Sequence, residues 1–293
     1  MNLVRQAGNG LTLALAIVGV TLAVSPAAAQ VSPGSRYVSL GSSYAAGPGV
    51  GTRDTAGGGC DRSLSNYAHL VARRFNLKLV DAACSGATTQ NILSVSQSGF
   101  PPQINAVDAN TRLVTILIGG NDVNYIGNLM GYSCRDTGGA NCSTVSDADV
   151  DRRFQALPAA LDTLIAQVRQ RAPGALIILV GYLPALSASG AGSCSAVPLS
   201  ADNVTRMRSH YLRLAQAIGH ASDRNKVPVV RSSQIGIGHE ACTSQPYVAG
   251  FRPAKTPSWS EPVAYHPVQA GMDSVAAALG DLITAAASAP AGD

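Results

Sequence analysis

Residues 112–120 read "RLVTILIGG", and Asn121-Asp122 follow at once. From Leu113 to Ile118 the run is apolar except for Thr115. A strand buried on both faces reads this way, because a parallel sheet covered by helices on both sides has no solvated face. Similar β-like runs lie on either side: "RYVSL" (36–40), "LKLVDAA" (77–83), "ALIILVGY" (175–182) and "VPVVRS" (227–232). Between and after them, residues 63–75, 149–172, 200–225 and 268–287 carry apolar positions near helical spacing. The second of these helices holds a proline, and Ser200 or Asp202 is a natural N-cap for the third. Strands alternating with helices imply an α/β fold: one domain of three layers, α/β/α, around a five-stranded, mostly parallel sheet. No internal repeat or interdomain linker interrupts it. The Gly-rich stretch 47–59 reads as a long loop, and the last residues, "SAPAGD", as a frayed tail.

Composition narrows the class. Hydrophobic residues make up 46% and charged residues 13%, as in a globular chain. The formal charge of +4 is spread without a Lys/Arg run, so the sequence offers no nucleic-acid surface. Residues 1–29 read as a cleaved signal peptide: Arg5, then the apolar "LTLALAIVGVTLAV", then Ala27-Ala28-Ala29. The apolar part is short against the roughly 20 residues of a spanning helix, which argues against a retained anchor. The expectation is a secreted protein of residues 30–293, without stable membrane insertion and monomeric. Its six cysteines, Cys60, Cys84, Cys134, Cys142, Cys194 and Cys242, are even in number, as disulfides in an exported chain require. They form no CxxC and the histidines no HExxH, so no metal site is expected. "GPGVG" (47–51) lacks the helix and distal acid of a dinucleotide fingerprint, and no cofactor is expected.

Ligands of open parallel sheets bind outside the carboxyl ends of the strands. There the chain places "GSSYAAG" (41–47), "ACSGATT" (83–89), "GGNDVNY" (119–125), "GYLPALS" (181–187) and the stretch from Ser232 to Tyr265. Ser43 is a candidate nucleophile. Acyl transfer also needs a base and oxyanion donors. His266, just before the last helix, faces the same edge of the sheet. Asn121 offers a side-chain N–H, Gly86 a backbone N–H with no Cβ in the way, and Ser43 its own backbone N–H. Singly, each is an ordinary turn, cap or structural residue; in this order, each at a strand end or before the last helix, they point to an acyl-transfer site.

With these residues in place, the chain resembles the SGNH-hydrolase (GDSL esterase/lipase) family, in its exported, disulfide-containing actinobacterial branch. "GSSYAAG", "CSGATT", "IGGND" and "YHP" are similar to its sequence blocks, over essentially the whole mature chain. The resemblance implies a flavodoxin-like hydrolase with Ser43 as nucleophile, Gly86 and Asn121 as oxyanion donors and His266 as base, acting on a small-molecule or lipid ester. Of the pairings six cysteines allow, it implies Cys60–Cys84, Cys134–Cys142 and Cys194–Cys242, each stapling a loop at the active edge.

Two positions depart from the family pattern. Ser42 stands where an Asp usually precedes the nucleophile. Val263 stands where an Asp three residues before the histidine usually completes the triad. The expectation is a dyad in which the Val263 main-chain carbonyl, or one within a residue or two, orients His266; the alternative acceptor is Glu261. A neutral carbonyl in place of a carboxylate reads as a somewhat higher working pH. Four other readings are open. An α/β-hydrolase would need a G-x-S-x-G elbow after several strands, with an acid between Ser and His. The same fold also serves carbohydrate-ester deacetylases, phospholipid acyl hydrolases and non-catalytic binding modules. The apolar "YIGNLMGY" (125–132) fits an acyl channel or a core-packing loop equally well.

Overall fold

The computed structural model describes residues 31–190, 192–253 and 258–288. The signal peptide expected at 1–29 and the end of the expected tail lie outside the described residues. Five strands form one sheet: β1 (Arg36–Gly41), β2 (Lys78–Asp81), β3 (Thr111–Leu117), β4 (Leu176–Val180) and β5 (Val229–Val230). Their order is β2-β1-β3-β4-β5 and every pairing is parallel. The helices are α1 (Ser43–Ala46), α2 (Tyr67–Arg74), α3 (Thr89–Leu93), α4 (Tyr125–Asp136), α5 (Asp147–Arg171), α6 (Ala201–Asn225), α7 (Ser232–Ile235) and α8 (Gln269–Ser288). α2 packs with α8, and α5 with α6, so that helices cover both sides of the sheet. The opening run of sequence is thus the central strand, β3, with Leu113, Val114, Ile116 and Leu117 all buried. α5 brings Leu157, Leu161, Leu164, Ile165 and Val168 to the core at three- and four-residue spacing, one stripe of a helix.

Local chemistry explains where the element boundaries differ from expectation. The helix expected from Ser63 starts at Tyr67, because Asn66 caps it, its Oδ1 accepting the His69 N–H at 3.1 Å. Ser63 instead makes a turn, its Oγ accepting the Ser65 N–H at 2.8 Å, and Leu64 is left exposed. β5 keeps two residues of the expected six, since Ser232 already begins α7. Of the two candidate caps, Ser200 caps α6. The stretch 125–132 is not a loop but most of α4, entered through Asn124 in the left-handed region at φ 55°.

Two features of this order set the site. The chain leaves β1, pairs β2 on one side of it, then crosses to pair β3 on the other. Their connections therefore diverge at the switch point beyond the carboxyl ends of β1 and β3, where open parallel sheets bind their ligands. Ser43 follows β1 and Asn121 follows β3 by a few residues.

Candidate active site

β1 ends on Gly41 for a steric reason. A Cβ there would lie 2.6 Å from the Leu117 carbonyl oxygen and 2.7 Å from the Ala45 Cβ. Without one, the chain turns at once into α1, while the Ser42 N–H still bonds the Leu117 carbonyl of β3 at 3.0 Å. The buried Gln103 amide holds the same residue from both sides, accepting the Gly41 N–H at 2.8 Å and donating to the Gly41 carbonyl at 3.0 Å. Ser43 is therefore the first residue of a helical turn clamped to two strands. First-turn N–H groups have no intrahelical partner. Among the described residues the Ser43 N–H has no acceptor.

Gly86 follows β2 at φ 84°, a left-handed conformation that costs glycine least, and its N–H has no acceptor among the described residues either. Asn121 reaches this loop, its Nδ2 donating to the Ala87 carbonyl at 2.9 Å and leaving the second amide hydrogen free of that bond. Asp122 grips the loop one step further on. Its Oδ1 accepts the Thr89 N–H at 3.1 Å and the Thr89 hydroxyl at 2.5 Å. Burial raises the Asp122 carboxyl above the ordinary carboxylate range, and the bonds from Thr89 oppose that rise. The sequence reading gave Asp122 no role; its only signal is its place directly after Asn121.

His266 completes the constellation. Its Nε2 lies 2.8 Å from the Ser43 Oγ and its Nδ1 2.9 Å from the Ala264 carbonyl oxygen. A carbonyl can only accept, so Nδ1 carries the proton and Nε2 presents a lone pair to the serine hydroxyl. Burial lowers the imidazole pKa to about 4, with the Ala264 bond opposing the shift. Of the acceptors expected for Nδ1, the one it meets is a carbonyl within a residue of Val263, that of Ala264, and neither the Val263 carbonyl itself nor Glu261 touches it. The Val263 carbonyl is engaged by the histidine's own main-chain N–H at 3.1 Å. Glu261 pairs with Arg252 and its side chain is 51% exposed. The acceptor is Ala264, one residue beyond Val263, because the chain turns between Ala264 and His266 through Tyr265 in the left-handed region at φ 59°.

This turn is held from outside the segment. The Tyr44 hydroxyl donates to the Tyr265 carbonyl at 2.5 Å, and the Tyr265 hydroxyl pairs with the Ser133 Oγ of α4 at 2.6 Å. A serine hydroxyl hydrogen-bonded to a neutral, oriented imidazole can lose its proton as it attacks a carbonyl. Unpaired N–H groups beside it can receive the oxygen that becomes negative.

Residues 39–273 match the model of the GDSL-like Lipase/Acylhydrolase family. The chain belongs to that family. This GDSL-family ester hydrolase is 32% identical over 240 residues to Lipase 2 of Streptomyces coelicolor, spanning 79% of this chain and 80% of the relative. To a lipase of Streptomyces rimosus it is 32% identical over 268 residues, 85% of this chain and 89% of that one. Its fold is that of the crystal structure of phospholipase A1 from Streptomyces albidoflavus: TM-score 0.66 at 24% identity, covering 85% of this chain and 99% of the other. An extracellular lipase structure from Streptomyces rimosus gives the same score and identity over 86% and 99%.

In the GDSL-family hydrolase the six cysteines pair as Cys60–Cys84, Cys134–Cys142 and Cys194–Cys242, the pairs the resemblance implies. The first ties the long loop after α1 to the segment two residues before Gly86. The departure at Ser42 is met by a tyrosine. Ser42 Oγ lies 3.2 Å from the Tyr182 hydroxyl, which accepts the Gly120 N–H at 2.9 Å. Gly120 admits that ring, since a Cβ would stand 2.7 Å from it. Tyr182 in turn packs on Tyr44, ring centroids 4.7 Å apart. Among the described residues no helix is long and apolar enough to cross a membrane.

Proposed function

We propose that this chain is an exported carboxylic ester hydrolase working through an acyl-enzyme on Ser43. The observation that carries the reading is the chain of contacts Ser43 Oγ, His266 Nε2 and Nδ1, and Ala264 carbonyl, at 2.8 and 2.9 Å. In the first half-reaction Ser43 Oγ bonds to the ester carbonyl carbon and its proton passes to Nε2. The oxyanion is received by the N–H groups of Ser43 and Gly86 and by Asn121 Nδ2. The carbon–oxygen bond to the alcohol then breaks, and Nε2 gives its proton to the departing oxygen. Water repeats the sequence, leaving the acid and free Ser43. The Ala264 carbonyl holds the ring in the reacting tautomer, so the site works as a dyad. The mechanism draws on no cofactor and no metal. The leader at 1–29 and a catalytic domain over 30–293 complete the proposal, supported by the disulfides of the chain and by its likeness to a structure named an extracellular lipase.

Ser43→Ala tests it. With the fold intact by circular dichroism, kcat on p-nitrophenyl acetate falls by at least about 10⁴-fold. A folded variant with near-normal kcat would remove Ser43 from the chemistry. Having both members of the pair in hydrogen-bond contact also weighs against a non-catalytic binding module; stoichiometric inactivation by a serine-directed phosphonate separates the two.

A further inference from the structure

Of the segments at the carboxyl edge of the sheet, "GYLPALS" (181–187) takes no part in the reaction scheme. Its second residue, Tyr182, lies two positions past the end of β4 and is 2% exposed. The backbone there is fixed from behind. The Gly181 N–H bonds the Val230 carbonyl at 3.0 Å, and the Tyr211 hydroxyl of α6 donates to the Tyr182 carbonyl at 2.9 Å. The ring is fixed by its packing on Tyr44 of α1.

The hydroxyl is thereby delivered to the point where β1 and β3 part. The ladder between these strands closes with the Ser42 N–H on the Leu117 carbonyl. Past Leu117 the chain turns through Gly119, at φ 110°, and Gly120 to reach Asn121. Across the opening, the Tyr182 oxygen accepts the Gly120 N–H at 2.9 Å and lies 3.2 Å from the Ser42 Oγ. An amide N–H can only donate, so the tyrosine's own proton is left for the Ser42 oxygen. One hydroxyl therefore touches the residue before Ser43 and the residue before Asn121. Room is kept for it, since a Cβ on Gly120 would lie 2.7 Å from the tyrosine oxygen.

We propose that Tyr182 is a positioning residue for ester hydrolysis, its hydroxyl setting the separation between Ser43 and Asn121. The inference rests on the Ser43 reading. Tyr182 does not itself receive the oxyanion, because it is buried and its hydroxyl is engaged on both sides. It acts through Asn121. Negative charge reaches the oxyanion donors only as the tetrahedral centre forms, so a fixed spacing between nucleophile and donor favours the transition state over the bound ester. A misplacement of about 1 Å in such an arrangement can cost about 10²-fold in rate. The Gly120 contact is the shorter of the two and the stronger; the Ser42 contact is long for a bond between hydroxyls.

The test is a double-mutant cycle with Asn121, read as kcat on p-nitrophenyl acetate. Tyr182→Phe keeps the ring on Tyr44 and removes the hydroxyl. Alone, it lowers kcat about tenfold and leaves KM within about twofold. Beside Asn121→Ala the same change lowers kcat by less than about twofold, because the donor whose place the hydroxyl sets is already gone. A merely structural role would lower the melting temperature in both backgrounds without this non-additivity. A folded Tyr182→Phe enzyme with unchanged kcat overturns the proposal, as does an equal loss in both backgrounds or a change confined to KM. If the phenylalanine variant does not fold, Ser42→Ala carries the cycle, since it cuts the longer contact and leaves the Gly120 N–H its acceptor. It lowers kcat about threefold alone and not at all beside Asn121→Ala; an equal loss in both, or none in either, overturns the proposal. None of these outcomes touches the reading of Ser43, which fails only if Ser43→Ala retains hydrolysis.

Discussion

The two halves of the site are built on different principles. The Ser43 half rests on strand ends: β1 delivers the serine, β2 the Gly86 loop and β3 Asn121, each fixed by the parallel ladder and by side chains such as Gln103 and Asp122. The His266 half rests on an irregular segment held by side chains from elsewhere, the Tyr44 hydroxyl and Ser133 of α4. The turn half depends on a few long-range contacts, and one of its residues, Tyr265, sits in a left-handed conformation that a non-glycine residue adopts only when held there.

Mutations can break this contrast, and the largest effect belongs to the sheet half. Asn121→Ala removes one of the proposed oxyanion donors, and kcat is expected to fall by about 10²–10³-fold with KM little changed. An effect confined to KM would make Asn121 a binding residue.

On the turn half, Tyr44→Phe leaves the Tyr265 carbonyl without its donor while keeping the ring that packs on Tyr182. A buried acceptor left unpaired costs about 1–3 kcal/mol of local stability. The turn that presents Ala264 then loosens, and kcat falls roughly tenfold. If KM rises alone, Tyr44 only shapes the pocket.

The pH profile sharpens the same point. His266 must be neutral to act as base, and burial lowers its pKa to about 4. The acid limb of kcat/KM therefore falls near pH 4, well below an ordinary histidine. The sequence-level expectation of a higher working pH has the sign reversed: an imidazolium deprived of a carboxylate loses its proton more easily, so the base survives to lower pH. The same shift acts on stability. Below pH 6.5 the unfolded chain binds a proton that the folded one refuses, and stability declines from there down to about pH 4. An acid limb near 6.5 would mean that burial does not depress the ring in the working enzyme.

The smallest effect is expected at Glu261→Gln. Its carboxylate faces Arg252 at the surface, so kcat changes by less than about tenfold, the pair being an exposed one of modest worth. A fall approaching the roughly 10⁴-fold loss of a neutralised triad acid would restore Glu261 as the third member.

How much of this was legible in the chain follows from how local each feature is. The burial of β3 on both faces leaves an unbroken apolar run, and glycine, serine and asparagine at strand ends leave their own marks, so the architecture and the positions of Ser43, Gly86 and Asn121 could be read directly. α4 was legible only in part. Two glycines and a left-handed Asn124 obscure its helical spacing. Tyr44, Tyr182 and Gln103 left no signal, since a buried tyrosine or glutamine looks the same in sequence whichever polar group it meets.

By itself the sequence determined the α/β alternation, the strand ends that carry Ser43, Gly86 and Asn121, and the late histidine, because each depends on hydrophobic period or on the chemistry of a single side chain. Only the tertiary structure decided that Ala264 orients His266. Every residue carries a carbonyl, so nothing in the letters 261–266 distinguishes one from the next. The choice is made by the backbone turn at Tyr265 and by the Tyr44 hydroxyl, a residue more than two hundred positions away, that holds it.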